Sequence, residues 1–174
     1  MKEYTEENTI QEGDLVLDRQ TKEPIAGILK ETQFDSDKVR LLIPYKKGKQ
    51  NGIIKSYYPS GKLNSEIPYT DGKEKGIQKD YYESGKLKTT STYKNNMLNG
   101  AQKWYYESGQ LKAEYTFKDN IGVGIVKAYY ENGKLYAELS FKGGNLKGGI
   151  TYDEKGNQKK VTSFVKAMDK LLLE

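Results

Sequence analysis

Along residues 124–141 apolar and polar side chains alternate on both sides of an Asn132-Gly133 pair. Val126, Ala128 and Tyr130 lead into it, Leu135, Ala137, Leu139 and Phe141 lead away, and Lys127, Tyr129, Tyr136 and Glu138 fill the places between. A period of two marks a half-buried β-strand, and Asn-Gly between two such runs marks a two-residue hairpin turn. Counting outward from that turn pairs Glu131 with Lys134, Tyr130 with Leu135, Tyr129 with Tyr136, Ala128 with Ala137, Lys127 with Glu138, Val126 with Leu139 and Gly124 with Phe141. One face is then wholly apolar. The other carries the Tyr129/Tyr136 pair between two pairs of opposite charge.

The same pattern recurs every 24 residues. Gly52, Gly76, Gly100, Gly124 and Gly148 keep the interval, as do Lys55, Lys79, Lys103 and Lys127, and the pairs Tyr57-Tyr58, Tyr81-Tyr82, Tyr105-Tyr106 and Tyr129-Tyr130. Gly61, Gly85, Gly109 and Gly133 follow, then Leu63, Leu87, Leu111 and Leu135, and an aromatic closes each unit at Tyr69, Tyr93, Phe117 and Phe141. A fixed period of this length is the signature of a repeat array. Applied to the other units, the count sets Lys55 opposite Glu66 and Lys103 opposite Glu114, while Thr90 replaces the acid opposite Lys79. Such cross-strand pairs contribute only about 0.2–1 kcal/mol each, so they serve register and solubility more than stability. The opening glycine faces the closing aromatic, where a missing Cβ would let the ring lie over the backbone.

Two sets of residues follow. Tyr58, Tyr82, Tyr106, Tyr130, Leu63, Leu87, Leu111, Leu135, Tyr69, Tyr93, Phe117 and Phe141 are expected to form the structural core. The candidate binding face carries Tyr57, Tyr81, Tyr105, Tyr129 and Tyr136 with Lys55, Lys79, Lys103 and Lys127. Neighbouring hairpins advance by about 10 Å, two strand spacings, so the first tyrosines form an even row. That row either covers lysine stems as a packing ladder or lines a groove for a ligand.

Worn units are expected at the ends, where a repeat array must block edge pairing. Full repeats occupy 52–75, 76–99, 100–123 and 124–147, with degenerate units at 13–51 and 148–160. In the first of these, Gly27-Ile28-Leu29-Lys30 and Tyr45 flank a turn at Asp35-Ser36-Asp37, preceded by a short hairpin around Gln20-Thr21; the second holds Tyr152 and Gly156. Residues 1–12 are polar and expected to be mobile. Phe164, Met168, Leu171 and Leu172 recur at helical spacing, which predicts a C-terminal amphipathic helix over 161–174, capped by Thr162 or Ser163 and folded on the last hairpin. A helix that binds a partner or a membrane surface is the alternative. The fold class is all-β, an elongated single-layer antiparallel meander of stacked β-hairpin repeats with a short C-terminal capping helix.

The consensus G-x-x-K-x-Y-Y-x-x-G-K-L, with the Y-x-x-G-K-x-x-G of Tyr69-Thr70-Asp71-Gly72-Lys73-Glu74-Lys75-Gly76, resembles the bacterial variant of the MORN repeat over about 27–158. Many members of that family carry the label of YwqK-like antitoxins. The resemblance implies a twisted antiparallel sheet of stacked hairpins and a role in scaffolding, protein contact or lipid binding. It carries no catalytic residue onto this chain.

Composition narrows the chemistry. Mean hydropathy is −0.87, and fifteen tyrosines outnumber four phenylalanines and one tryptophan, which suits half-packed, half-wet surfaces. With no His and no Cys, the commonest general base, metal ligand and thiolate nucleophile are missing, and neither a cofactor nor a metal site is expected. The residues that break the repeat (Trp104, Thr90, Asp80, Gly122 and Pro59) form no catalytic set, so the chain is not read as an enzyme. Asp80, on the apolar face opposite Thr89, is expected to bond Thr89 or Ser91. Gly143-Gly144 and Gly122/Gly124 open no helix, which argues against a phosphate loop. A net charge of +5 is spread over lysines that alternate with glutamates, which disfavours nucleic acid as partner. No apolar stretch approaches a membrane span, and Met1 leads into a polar run, so no leader is read in the chain as written. The expected partner is a protein, with an anionic lipid headgroup or cell-envelope polymer, or antitoxin-type neutralisation of a partner protein, as alternatives.

Overall fold

A computed structural model describes residues 1–34 and 36–161. Its strands are β1 (Glu3–Tyr4), β2 (Thr9–Glu12), β3 (Leu15–Asp18), β4 (Gly27–Thr32), β5 (Val39–Lys46), β6 (Lys49–Gln50), β7 (Gly52–Tyr57), β8 (Leu63–Thr70), β9 (Lys73–Tyr81), β10 (Leu87–Lys94), β11 (Met97–Tyr105), β12 (Leu111–Lys118), β13 (Ile121–Tyr129), β14 (Leu135–Lys142), β15 (Asn145–Tyr152) and β16 (Gln158–Val161). From β4 onward each strand follows its predecessor in one sheet, with β6 pairing β5 and β1 added in parallel outside β4. β2 and β3 form a separate hairpin. The fold is all-β and mostly antiparallel, as the period of two requires.

Within the hairpins the expected register holds away from the tips. Gly124 pairs with Phe141, Val126 with Leu139, Lys127 with Glu138 and Ala128 with Ala137. Lys55 pairs with Glu66, and Lys103 with Glu114. The tips differ. Tyr129 pairs with Leu135 instead of Tyr136, because the loop is one residue longer than an Asn-Gly turn. Tyr130 N–H donates to the Lys134 carbonyl at 2.8 Å and Gly133 N–H to the Tyr130 carbonyl at 2.8 Å, enclosing Glu131, Asn132 and Gly133. Gly133 has φ 82°, the left-handed residue that closes three-residue loops. The slip is absorbed by a bulge where the register shifts between Ala128 and Tyr129, so the register below it is unchanged. The same shift recurs at Ser56/Tyr57 and Trp104/Tyr105.

Hairpins are joined by tighter turns. Asp71-Gly72, Asn95-Asn96, Asp119-Asn120 and Gly143-Gly144 each have two positive φ values, the two-residue turn whose twist matches antiparallel strands. The ladders these turns start are bulged: Tyr69 pairs with Glu74 but Glu66 with Lys79, and Thr116 with Val123 but Glu114 with Lys127. The opening glycines lie inside these bulges. A Cβ on Gly76 would stand 2.9 Å from Pro68 Cγ and one on Gly52 2.9 Å from Pro44 Cγ, both at φ near +127° (128° and 126°). Gly52, Gly100 and Gly124 pair with Tyr69, Phe117 and Phe141 as counted, but a Cβ at Gly52, Gly76 or Gly100 would meet Pro44, Pro68 or Thr92 of the strand before it, and one at Gly124 would meet nothing within 4 Å.

Two compact units make up the chain: Met1–Lys86 with Tyr93–Asn96, and Leu87–Thr92 with the chain from Met97 onward. The first is organised by buried Tyr4, Ile25, Leu29, Ile43 and Ile54, the second by Ala113, Val126, Ala128, Ala137, Leu139 and Phe141. The N-terminal segment expected to be mobile instead pairs Tyr4 with Leu29 and buries the Tyr4 ring to 6% exposure. One buried aromatic anchors a run whose polarity hid it. Thr9–Glu12 then pairs with Leu15–Asp18. The expected turn around Gln20-Thr21 is present, with Leu17 bridged to Pro24. Of the expected C-terminal helix, Val161 is the last residue of β16, and 162–174 lie outside the described residues.

Candidate binding faces

In the first unit, Lys55, Glu66 and Lys79 stand in one row across β7, β8 and β9. Lys55 Nζ lies 3.6 Å from Glu66 Oε1, and Tyr81 donates its hydroxyl to Glu66 Oε2 at 2.9 Å. Burial first, then the hydrogen bond to the Glu66 carboxylate and its charge, push the Tyr81 phenol up to about 12. Tyr81 is therefore tied into the ion-pair row. Along β9, Lys73, Lys75, Ile77 and Lys79 are all exposed, while Glu74, Gln78 and Asp80 between them are half-buried. No ion pair among the described residues holds Lys73, Lys75 or Lys79. Two isoleucines share this face with the lysines: Ile53 is 52% exposed and Ile77 55%.

In the second unit, Lys103 lies 3.9 Å from Glu114 and Lys127 3.8 Å from Glu138. Ile125, two residues before Lys127 and 56% exposed, holds the position of Ile53 and Ile77. A shallow groove of about 400 Å³ runs past Ile125, Ser140, Lys147 and Ile150. Tyr105 and Tyr129 are half-buried. Tyr136 does not stand beside them: it packs against the Ala128/Leu139 cluster, edge-on to Tyr130 with ring centroids 5.1 Å apart, because the tip bulge rotates it out of alternation. The exposed isoleucines, Ile53 and Ile77 in the first unit and Ile125 in the second, are missing from the sequence-based binding face, although they share one repeat position that only Ala101 interrupts.

The opposite face holds the cores, with a different roster from the one expected. Of the expected core residues only Phe141 is fully buried, and Tyr69 packs on the first cluster; Tyr58, Tyr82, Tyr106, Tyr130, Leu63, Leu87, Leu111, Leu135, Tyr93 and Phe117 are half-buried. The second tyrosines act instead through their hydroxyls. Tyr58 donates to the Tyr81 carbonyl at 2.6 Å, Tyr106 to the Tyr129 carbonyl at 2.8 Å and Tyr130 to the Tyr152 carbonyl at 2.8 Å, stapling these three hairpin tips to the strand that follows.

Along β9 this face turns polar. Asp80 pairs with Ser65 and accepts a hydrogen bond from Gln78 at 2.9 Å. Glu74 stands opposite Tyr69, and its Oε1 is buried with no hydrogen-bond partner. Burial, then the charge of Asp80, raises the Glu74 carboxyl above its ordinary value. Tyr69 and Tyr93 are raised too, by burial first and the Glu74 charge second. Glu74 went unremarked in the sequence, yet the equivalent places hold Leu98, Gly122 and Leu146, a departure that could have flagged it. Among the described residues no group of three His, Cys, Asp or Glu could hold a metal ion, and no helix is long and apolar enough to cross a membrane.

Hairpins of this construction, repeated at a constant period, define a β-hairpin repeat array. Residues 50–71, 74–95, 98–119 and 123–142 match the model of the MORN repeat variant, so the chain carries four consecutive MORN-variant repeats. No curated protein matches the chain significantly. Among solved structures, the crystal structure of the GtfA/B complex bound to UDP and GlcNAc is similar at 12% identity and a TM-score of 0.29, over 72% of this chain. The chain spans 25% of the length of that structure.

Proposed function

We propose that this chain is a non-catalytic repeat scaffold that binds a protein partner on its lysine-bearing face. The observation that carries this reading is that in each unit half-exposed isoleucines, Ile53 and Ile77 in the first and Ile125 in the second, stand among lysines on strands whose alternate residues face that unit's own core. An isolated exposed isoleucine is ordinary, but one repeated at a fixed sheet position within a polar frame has the composition of an interface. MORN repeats serve as binding scaffolds, which accords with this reading. Affinity capture with the wild-type chain and with a Tyr57→Ala, Tyr81→Ala, Tyr105→Ala, Tyr129→Ala variant is the test. Loss of the captured partners in the variant is expected; recovery of the same partners at the same yield excludes the face.

A second reading, binding of an anionic lipid headgroup or envelope polymer, is favoured by the net charge of +5 and the unpaired lysines of β9. Its test is co-sedimentation with anionic vesicles or polymer at low salt, where charge attraction is least screened. Failure to sediment there counts against it.

A further inference from the structure

We infer that the face of the first unit formed by Ile53, Lys55, Lys73, Lys75, Ile77 and Lys79 docks an acidic polypeptide segment that carries two apolar anchors about 10 Å apart; the inference rests on the protein-scaffold reading above and names its partner's chemistry. Charge is the first argument. Lys55, Lys75 and Lys79 share this surface with Glu66, whose carboxylate is already taken by Lys55 at 3.6 Å and by the Tyr81 hydroxyl at 2.9 Å, while Lys73 at its end borders a cleft with Asp14 and Asp71. Lys73, Lys75 and Lys79 have no anionic partner among the described residues, and all three are exposed. In the second unit the equivalent rows are closed by Glu114 against Lys103 and by Glu138 against Lys127. Three exposed lysines without an ion pair on one strand are found on β9 and not on β11 or β13, whose sequences hold only Lys103 and Lys127.

Geometry supplies the second argument. Ile53 and Ile77 occupy the same place on β7 and β9, 52% and 55% exposed, with β8 between them. Two strand spacings separate their Cα atoms by about 10 Å. An extended chain covers that distance in about three residues and a helix in about seven. Each isoleucine is followed on its own strand, two residues on, by a lysine: Lys55 and Lys79. A segment laid across the strands, with an apolar residue over each isoleucine and carboxylates beside it, would meet both features in register. The bulge at Gly76 places Lys75 outside the ladder, which frees its side chain to follow the ligand.

The experiment uses the full chain and three probes: a labelled helical peptide rich in Glu with Leu at every seventh position, the same peptide with Leu replaced by Ser, and vesicles of phosphatidylcholine with about one-third phosphatidylserine. Binding is read by fluorescence anisotropy for the peptides and by sedimentation for the vesicles. The wild-type chain is expected to bind the Leu peptide, and to bind the Ser peptide at least about tenfold more weakly. K75E/K79E and I53S/I77S are each expected to weaken the Leu peptide about tenfold or more. These positions are exposed, so both variants retain the fold, and circular dichroism checks that. K62E, a charge reversal on an exposed hairpin loop, is expected to change binding less than twofold. Equal losses in K62E and K75E/K79E overturn the inference, because they reduce it to net charge. Sedimentation with vesicles and no peptide binding overturns it in favour of a membrane surface. Absence of binding to all three probes also overturns it, yet leaves the scaffold reading standing if the partners captured by the wild-type chain are still lost in the quadruple tyrosine variant.

Discussion

At the scale of single residues, hydroxyls and one carboxylate decide more than ring size does. Tyr106 is half-buried, but its hydroxyl holds the carbonyl of Tyr129 in the next hairpin. Tyr106→Phe keeps the ring and leaves that carbonyl short of a donor, at a cost of about 1 kcal/mol, read as a lower urea midpoint with unchanged slope. Glu74 acts in the opposite sense. Its Oε1 is buried without a partner and faces Tyr69 and Tyr93, with Asp80 as the nearby like charge. The folded state therefore holds this proton more tightly than the unfolded chain does, so stability falls as pH rises from 4.5 through the raised folded value, and above that window the penalty is fully present. Glu74→Gln is expected to stabilise the protein at pH 7 by about 1 kcal/mol and to remove that fall, as measured by urea unfolding from pH 4 to 8. A variant no more stable than wild type at pH 7 would sink this account of Glu74.

At the scale of the element, glycines with the same spacing carry different burdens. Gly109 closes a hairpin tip at φ 96° with nothing near its missing Cβ, so an alanine there meets only the backbone penalty, about 1–2 kcal/mol. Gly100 combines φ 133° with Thr92 Cβ 2.9 Å from where a methyl would stand. Gly100→Ala is expected to cost more than Gly109→Ala by about 1 kcal/mol or more, since strand β10 must yield as well. Thermal unfolding of the two variants side by side checks the order. The distinction was not legible beforehand, because all these glycines look alike in the sequence; only the ladder bulges show which of them has a strand pressed against it.

At the scale of the whole molecule, stability is held by two separate clusters. Leu139 is fully buried in the second, and Leu139→Ala is expected to cost about 2–5 kcal/mol, whereas Ile125→Ala, a position 56% exposed on the opposite face, is expected to change stability by less than about 0.5 kcal/mol. Denaturant titration of both variants separates core from binding face directly. In the first cluster Tyr4 covers Ile25 and Leu29 from the N-terminal segment, so Tyr4→Ala is expected to lower stability by about 3 kcal/mol. Hydrogen exchange is expected to show the loss in β4 and β5 well before β13 and β14, because repeat arrays transmit stability mainly between neighbours.

The period, the hairpins and the division into a lysine face and a core face were all determined by the sequence alone, because alternation with a period of two and a Gly at each turn leave a strand little choice of which side to bury. Lys127 opposite Glu138 and Val126 opposite Leu139 could be counted without coordinates. Tertiary structure decided what counting cannot reach. An Asn-Gly pair is compatible with loops of two or three residues, and only the bulge opposite Tyr129 settles that Tyr136 belongs to the core. Tyr4 and Ile25 become core through a parallel pairing distant from the repeat, and Glu74 comes to hold a buried oxygen without a partner only when β8 and β9 bring it against Tyr69. Local pattern sets which way a side chain points; what it meets there depends on neighbours many residues away.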